Sequence, residues 1–268
     1  MKPFLASVFT LALAGCTVGP NYRRPTVNVP PSFRNQTEPT GAASIGDQKW
    51  WEIFQDQELQ KLIRAALEQN FDVRIAATRI LQAQAQLGIA HSDQFPTVNA
   101  SAGYSSQKIP GFGFNVIQLQ GLFSWNVDFW GQYRRATEAA RASLLAQQWN
   151  QKQILTTVVS SVAMAYFELR ELDSELQIAR DTLASRNQSL QLTQTLERGG
   201  AAGLLDVRQA EQLVETAAEA IPDLERQVAQ QEDLIGTLLG ENPRDIPRGR
   251  ALIDQPMPAA VPAGIPSR

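Results

Sequence analysis

The sequence predicts a mainly α-helical fold of long antiparallel coiled-coil helices, interrupted once by a β-hairpin. Three observations carry that prediction. From Gln132 to Arg198 there is neither Gly nor Pro, and the run is closed by Gly131 on one side and Gly199-Gly200 on the other. Read as one helix it is roughly 100 Å long, several times an ordinary helix. Its apolar residues Leu155, Val159, Val162, Tyr166, Leu169, Leu172, Leu176, Ala179, Leu183 and Leu190 recur mostly at alternating steps of three and four. A period of about 3.5 keeps one seam against a neighbouring helix. The second observation is a similar stripe after the glycines, and the third is a pair of strictly alternating runs between Val98 and Phe129. A compact domain has no use for so long a helix; something long and hollow, or long and stacked, does.

The totals exclude much. With 268 residues the chain could hold one large domain or two, and its formal charge of -3, without a basic stripe, argues against a nucleic-acid partner. One cysteine, Cys16, leaves no intrachain disulfide and no cysteine metal cluster, and one histidine, His91, leaves no multi-histidine metal site. No metal and no cofactor are expected.

Residues 1–15 have a charged start at Lys2 and a short apolar core from Phe4 to Leu13, the pattern of a signal peptide. That core is too short to span a bilayer. It ends in Leu13-Ala14-Gly15-Cys16, which resembles the lipobox of bacterial lipoproteins. There the cysteine thiol takes a covalent lipid, and cleavage leaves Cys16 as the first residue. An ordinary signal peptide with an incidental cysteine is the other reading; the position of the only cysteine favours the lipobox. Each acyl chain contributes about 0.8 kcal/mol per buried methylene, so a multiply acylated terminus is a stable anchor. Thr17 after the cysteine, in place of Asp, implies by the same resemblance sorting to the outer membrane.

Residues 16–55 are expected to form a lipid-anchored tether, rich in Pro, Asn, Thr and Gly, with Pro20, Pro25, Pro30, Pro31 and Pro39. Trp50-Trp51 and Phe54 wedge it onto the first helix. That helix, expected over 56–91 with Asp56 as N-cap, presents Leu59, Ile63, Ala66, Val73, Ala77, Ile80 and Leu87. A hairpin is expected over 96–128. Val98, Ala100, Ala102 and Tyr104 alternate with polar residues; then come Pro110-Gly111-Phe112-Gly113 and a second alternating run. One face of that run carries Ile117, Leu119, Gly121, Phe123, Trp125, Val127 and Phe129. The other carries Gln118, Gln120, Leu122, Ser124, Asn126 and Asp128. Such strands fit a lipid-facing barrel, with Trp125, Phe129 and Trp130 in an aromatic girdle, or a soluble amphipathic hairpin on a core; the pattern leaves both open. The Gly-x-Gly of the loop lacks a third glycine and a buried strand before it, so it is turn chemistry.

The long helix is expected over 130–198 and a tip turn over 199–204, where glycine supplies the left-handed residue that ends a helix. The return helix, 205–240, carries Val207, Ala210, Val214, Ala217, Ile221, Leu224, Val228, Ile235 and Leu238, with Gln231 the one break in the stripe. Pro222 is expected to kink or break it. The remainder to Arg268 is a Pro-rich irregular segment.

This order of elements resembles the outer-membrane efflux channels of the TolC superfamily, and more closely the NodT-type lipoprotein branch that serves resistance-nodulation-division (RND) pumps. The residues that carry the resemblance run from Cys16-Thr17-Val18-Gly19-Pro20-Asn21-Tyr22 through Trp50-Trp51 and Asn70-Phe71-Asp72-Val73-Arg74. They continue with Ser124-Trp125-Asn126-Val127-Asp128-Phe129-Trp130-Gly131, Gly203-Leu204-Leu205-Asp206-Val207 and Pro258 to Ser267. The resemblance implies a multidrug-resistance conduit, not an enzyme, in the outer membrane of a Gram-negative bacterium, its body extending into the periplasm. It implies a trimer whose helices form an α-barrel continuing into a transmembrane β-barrel made by oligomerisation. Its implied partners are a periplasmic adaptor protein and an inner-membrane RND pump. Family members carry two repeats; residues 56–268 match the first, and the second is absent from this sequence. Two strands cannot close a barrel, and open edges in lipid cost several kcal/mol for each unpaired backbone group. A fragment or a truncated gene product is therefore expected ahead of a natural hexamer.

Carried over residue by residue, the resemblance puts lipid on Cys16 and adaptor docking at a tip of Gly199, Gly200, Gly203, Leu204 and Leu205. It puts Ile117, Leu119, Phe123, Trp125, Val127 and Phe129 on a lipid-facing strand. Asp206 matches a gating acid; it is equally a surface acid in the first turn of a helix, favourable with the dipole by a few tenths of a kcal/mol. The alternative function is a lipid-anchored periplasmic coiled-coil adaptor or scaffold. Adaptors split a lipoyl-like β-domain around the hairpin, and no run of short strands flanks it here. A hydrolase fits poorly, because Asp206, Asp223 and Glu225 offer no nucleophile–base set.

Overall fold

A computed structural model describes residues 18–23, 25–26 and 48–256. The fold is mainly α-helical with one antiparallel hairpin. Its elements are α1 (Trp50–Ile53), α2 (Gln57–Gln69), α3 (Phe71–Ser92), β1 (Thr97–Ile109), β2 (Phe112–Ser124), α4 (Gln132–Arg198) and α5 (Leu204–Leu239), then a 3₁₀ turn at Leu252–Asp254. Two compact units divide the chain: one of Met1–Pro25 and Ala76–Gln151, the other of Thr26–Ile75 and Lys152–Arg268.

The second unit holds the core. Leu59, Ile63 and Ala66 of α2 pack with Val162, Tyr166 and Leu169 of α4, with Ile235 and Leu239 of α5, and with Ile246 beyond it. α4 is one uninterrupted helix of 67 residues. Every residue of its expected seam, Leu155 to Leu190, is buried or half-buried. In α5 the stripe is likewise covered, and its one polar break is explained: Gln231, buried, donates to the Ala165 carbonyl at 2.9 Å and to Glu168 at 3.1 Å. A buried amide that finds partners across the seam fixes register where leucine would only fill space.

Three local expectations differ from the structure. One helix over 56–91 is in fact two, parted at Asn70. Asn70 Oδ1 accepts the N–H groups of Asp72 and Val73, which caps α3, while its Nδ2 donates to the Leu238 carbonyl at 2.8 Å. Asn therefore starts a second helix by meeting its orphan donors. Beyond the break the covered positions include Val73, Ala76 and Ile80, and Ala77 is exposed. Second, Pro222 does not break α5, which continues to Leu239. One lost hydrogen bond is outweighed where both halves of a long helix pack on a neighbour. Third, β2 ends at Ser124, so Trp125, Val127 and Phe129 lie in irregular chain after the strand. Asn126 and Asp128 are drawn toward the start of α4 instead: Asn126 donates to the Tyr133 hydroxyl, and Asp128 accepts the Arg134 N–H at 3.0 Å.

Candidate functional site

The hairpin belongs to the first unit. Its strands pair in unbroken register from Thr97↔Ser124 to Ile109↔Phe112. Only Pro110-Gly111 separates them, a tighter turn than the four-residue loop expected from sequence. Pro fixes the first central dihedral and Gly111, at φ +92°, supplies the second. The register sets Val98, Ala100, Ala102 and Tyr104 opposite Phe123, Gly121, Leu119 and Ile117. All eight therefore share one face, since side chains alternate along a strand. That face is bare: Leu119 is 84% exposed, Ile117 82% and Phe123 65%. The reverse face carries Asn99, Ser101, Gln118 and Gln120, with Leu122 among them. At the foot, Trp125, Phe129 and Trp130 are exposed too, and Trp125 Nε1 donates to the Gln94 carbonyl at 3.4 Å.

The expected tip lies in the second unit. α4 ends in a Schellman turn: Gly200 donates to Glu197 and Ala201 to Leu196, with Gly200 at φ +74°. Gly199 and Gly203 do not adopt that left-handed geometry. Asp206 Oδ2 accepts the Gly203 N–H at 2.8 Å, so this acid holds the entry of α5 in place. Leu204 and Leu205 beside it are exposed, whereas Val207 turns into the seam. Cys16 and the stretch from Pro258 to Ser267 lie outside the described residues. Among the described residues no group of three or more His, Cys, Asp or Glu could hold a metal ion. No described helix is long and apolar enough to cross a membrane, which says nothing of β-strands.

Sequence reasoning placed Asp56 as a helix cap but missed the polar centre built on it. Asp56, 2% exposed, caps α2 through the N–H groups of Glu58 and Leu59. Its other oxygen accepts the Tyr166 hydroxyl at 3.2 Å, the Arg250 N–H at 3.0 Å and the Gln255 amide at 2.7 Å. Tyr166 in turn accepts the Gly249 N–H at 2.8 Å. Arg248 bridges Asp173 of α4 and Glu232 of α5. The segment after α5 is thus a strap fastened over the core. Burial pushes Asp56 up, yet the hydrogen bonds from Gln255, Leu59, Arg250 and Glu58 outweigh it and leave the carboxyl below its ordinary value. Burial, with Asp56 beside it, pushes the Tyr166 hydroxyl up to about 12 against the opposing Gly249 bond. It stays protonated and donates.

Long helices at a coiled-coil period, with one hairpin whose apolar face is bare, make up the architecture of TolC-type channels. The chain belongs to the outer membrane efflux protein family, whose model matches residues 62–241. It is 32% identical over 282 residues to the toluene efflux pump outer membrane protein TtgF of Pseudomonas putida, covering 98% of this chain and 58% of that one. It is 30% identical over 264 residues to the cation efflux system protein CusC of Escherichia coli, covering 96% and 58%. A crystal structure of CusC superimposes with a TM-score of 0.77 at 26% identity, over 94% of this chain and 57% of the other. The chain spans a little over half the length of these relatives.

Proposed function

We propose that the chain contributes one repeat to the wall of an outer-membrane channel in a tripartite RND-type efflux system, a passive conduit for exported small molecules. In this reading it belongs to the NodT-type lipoprotein branch, carries lipid on Cys16 and assembles in the trimeric manner of its family. A periplasmic adaptor docks at Gly199, Gly200, Gly203, Leu204 and Leu205, and an inner-membrane pump completes the path. The exposed leucines support docking at that turn. Asp206 is the gating candidate, although its bond to Gly203 supports a capping role.

The observation that carries the proposal is the hairpin. In water, a face of Val98, Tyr104, Ile117, Leu119 and Phe123 left bare is a liability; against lipid it is the stabilising surface. Ile117, Leu119 and Phe123 face the bilayer from the strand, Val127 lies with them below it, and Trp125, Phe129 and Trp130 form the aromatic girdle. Further strands must complete the barrel, because unpaired edges in lipid are too costly. Paired cysteine variants test this in outer-membrane preparations of the native product. A water-soluble maleimide is expected to label Gln120→Cys at least tenfold faster than Leu119→Cys, and equal labelling would remove the barrel reading. Deleting the gene is expected to raise accumulation of a pumped dye; unchanged accumulation would remove the efflux reading.

A further inference from the structure

The start of the described chain is not loose. The Val18 N–H donates to the Trp130 carbonyl at 3.1 Å, immediately before Gly131, which turns at φ +79° into α4. One turn along α4, Arg135 Nη2 reaches the Asn21 side-chain oxygen at 2.8 Å and the Gly19 carbonyl at 3.3 Å. Its Nη1 is held at 2.7 Å by Glu138. A guanidinium held at Nη1 by a carboxylate presents Nη2, with its two N–H groups, in a preset direction, which lowers the entropy lost on gripping a chain. Residues 18–21 are thus gripped at both ends, by a backbone bond and by an arginine fork.

We propose that Arg135 is a positioning residue for the lipid-bearing terminus: with the Trp130 carbonyl it clamps residues 18–21 against the foot of the hairpin. This rests on the reading of Cys16 as acylated. Only Thr17 separates Val18 from Cys16, so at most about 7 Å of chain lies between the clamp and the lipid-bearing residue. The acyl chains therefore leave the protein beside the exposed rings of Phe129, which is apolar, and Trp130, an amphipathic side chain that favours the membrane–water boundary. The rest of the proline-rich segment begins beyond the clamp and does not set the height of the anchor. An unclamped terminus would let the lipid sit at any distance from the hairpin that the tether could reach.

A photo-crosslinking residue at Val18, in the full chain in its own outer membrane, reads the clamp directly through its yield onto the Phe129–Arg134 peptide. Arg135→Ala is expected to lower that yield at least fivefold with helical content and palmitate incorporation unchanged. Arg135→Lys should recover part of it, and Asn21→Asp, which adds a charge opposite the fork, should raise it above wild type. A merely structural arginine would not respond to Asn21→Asp. Unchanged yield in Arg135→Ala overturns the clamp. An Arg135-dependent cross-link on a chain that takes up no palmitate overturns the anchoring role and, separately, the lipoprotein reading.

Discussion

The hairpin and the strapped core treat apolar surface in opposite ways. In the core, Leu59, Ile63, Tyr166, Leu169, Ile235 and Leu239 are wholly covered by the chain itself. In the hairpin, side chains of the same kind are left mostly exposed by the described residues. The core is closed among the described residues and the hairpin face is not, which fits the proposal that its sequence answers to lipid. Three sets of substitutions probe that difference, from the set expected to cost most to the one holding the smallest effect.

The largest effect is expected at Asp56, where a single carboxylate closes the core unit. Asp56→Ala removes the cap of α2, strands the Tyr166 hydroxyl and the Arg250 N–H without their acceptor, and takes one of two acceptors from the Gln255 amide. Loss of a cap costs about 1 kcal/mol, and the Tyr166 hydroxyl and the Arg250 N–H left without an acceptor add about 1–2 kcal/mol each, giving a total of roughly 4 kcal/mol; the Gln255 amide keeps its second bond, to the Arg250 carbonyl. Denaturant unfolding of the purified chain in detergent reads it as a lowered midpoint. The folded carboxyl sits below its unfolded value of 3.8. Its contribution is therefore fully present above that value and is lost as pH falls through the lower folded one. Asp56→Asn should flatten the acid limb of the stability profile below about pH 4. An unchanged midpoint in Asp56→Ala would mean that the strap does not close the core.

Period and turn chemistry made the helices and the hairpin readable in the sequence. The α4 seam and the Gln231 break were legible because coiled-coil packing repeats over many turns. The strap was not, because Asp56 meets Arg250 and Gln255 at separations of 194 and 199 residues, and no local pattern announces a contact at that separation. Ile246, fully buried, is a lone apolar residue in an irregular stretch. Asn70 hid because a cap between two helices of similar phase leaves the apolar stripe almost undisturbed. Alternation carried the strand reading past Ser124, where Trp125, Val127 and Phe129 continue the pattern although the ladder has stopped.

Glycines give the intermediate effects, and they rank differently from what sequence suggests. Gly240 ends α5 at φ +73°, and a Cβ there would stand 2.8 Å from the Gln69 carbonyl oxygen. Gly200 has a similar φ of +74° but open space around it. Gly240→Ala combines a left-handed residue with a backbone clash and is expected to cost about 3 kcal/mol; Gly200→Ala carries only the first, about 1 kcal/mol. Gly199→Ala meets no such strain and should fall within about 0.5 kcal/mol of wild type. Melting temperatures of the three variants give the order. Equal losses at positions 240 and 200 would show that the end of α5 yields to the clash, loosening the core side of the contrast.

The smallest effect is the most informative. Leu169→Ala, in the core, should cost about 3 kcal/mol, the lost transfer energy plus the cavity left behind. Leu119→Ala removes the same atoms from a side chain that is 84% exposed, so in detergent it should shift stability by less than about 0.5 kcal/mol. Detergent covers the hairpin face whichever residue is present and folds around the smaller one, leaving no cavity. In a bilayer the balance changes, since each buried methylene contributes about 0.8 kcal/mol against water. The same variant should then insert into vesicles less completely than wild type while unfolding at the same denaturant midpoint in detergent. A loss of midpoint close to that of Leu169→Ala would mean that the hairpin packs on the protein after all, and the two regions would no longer differ in what covers them.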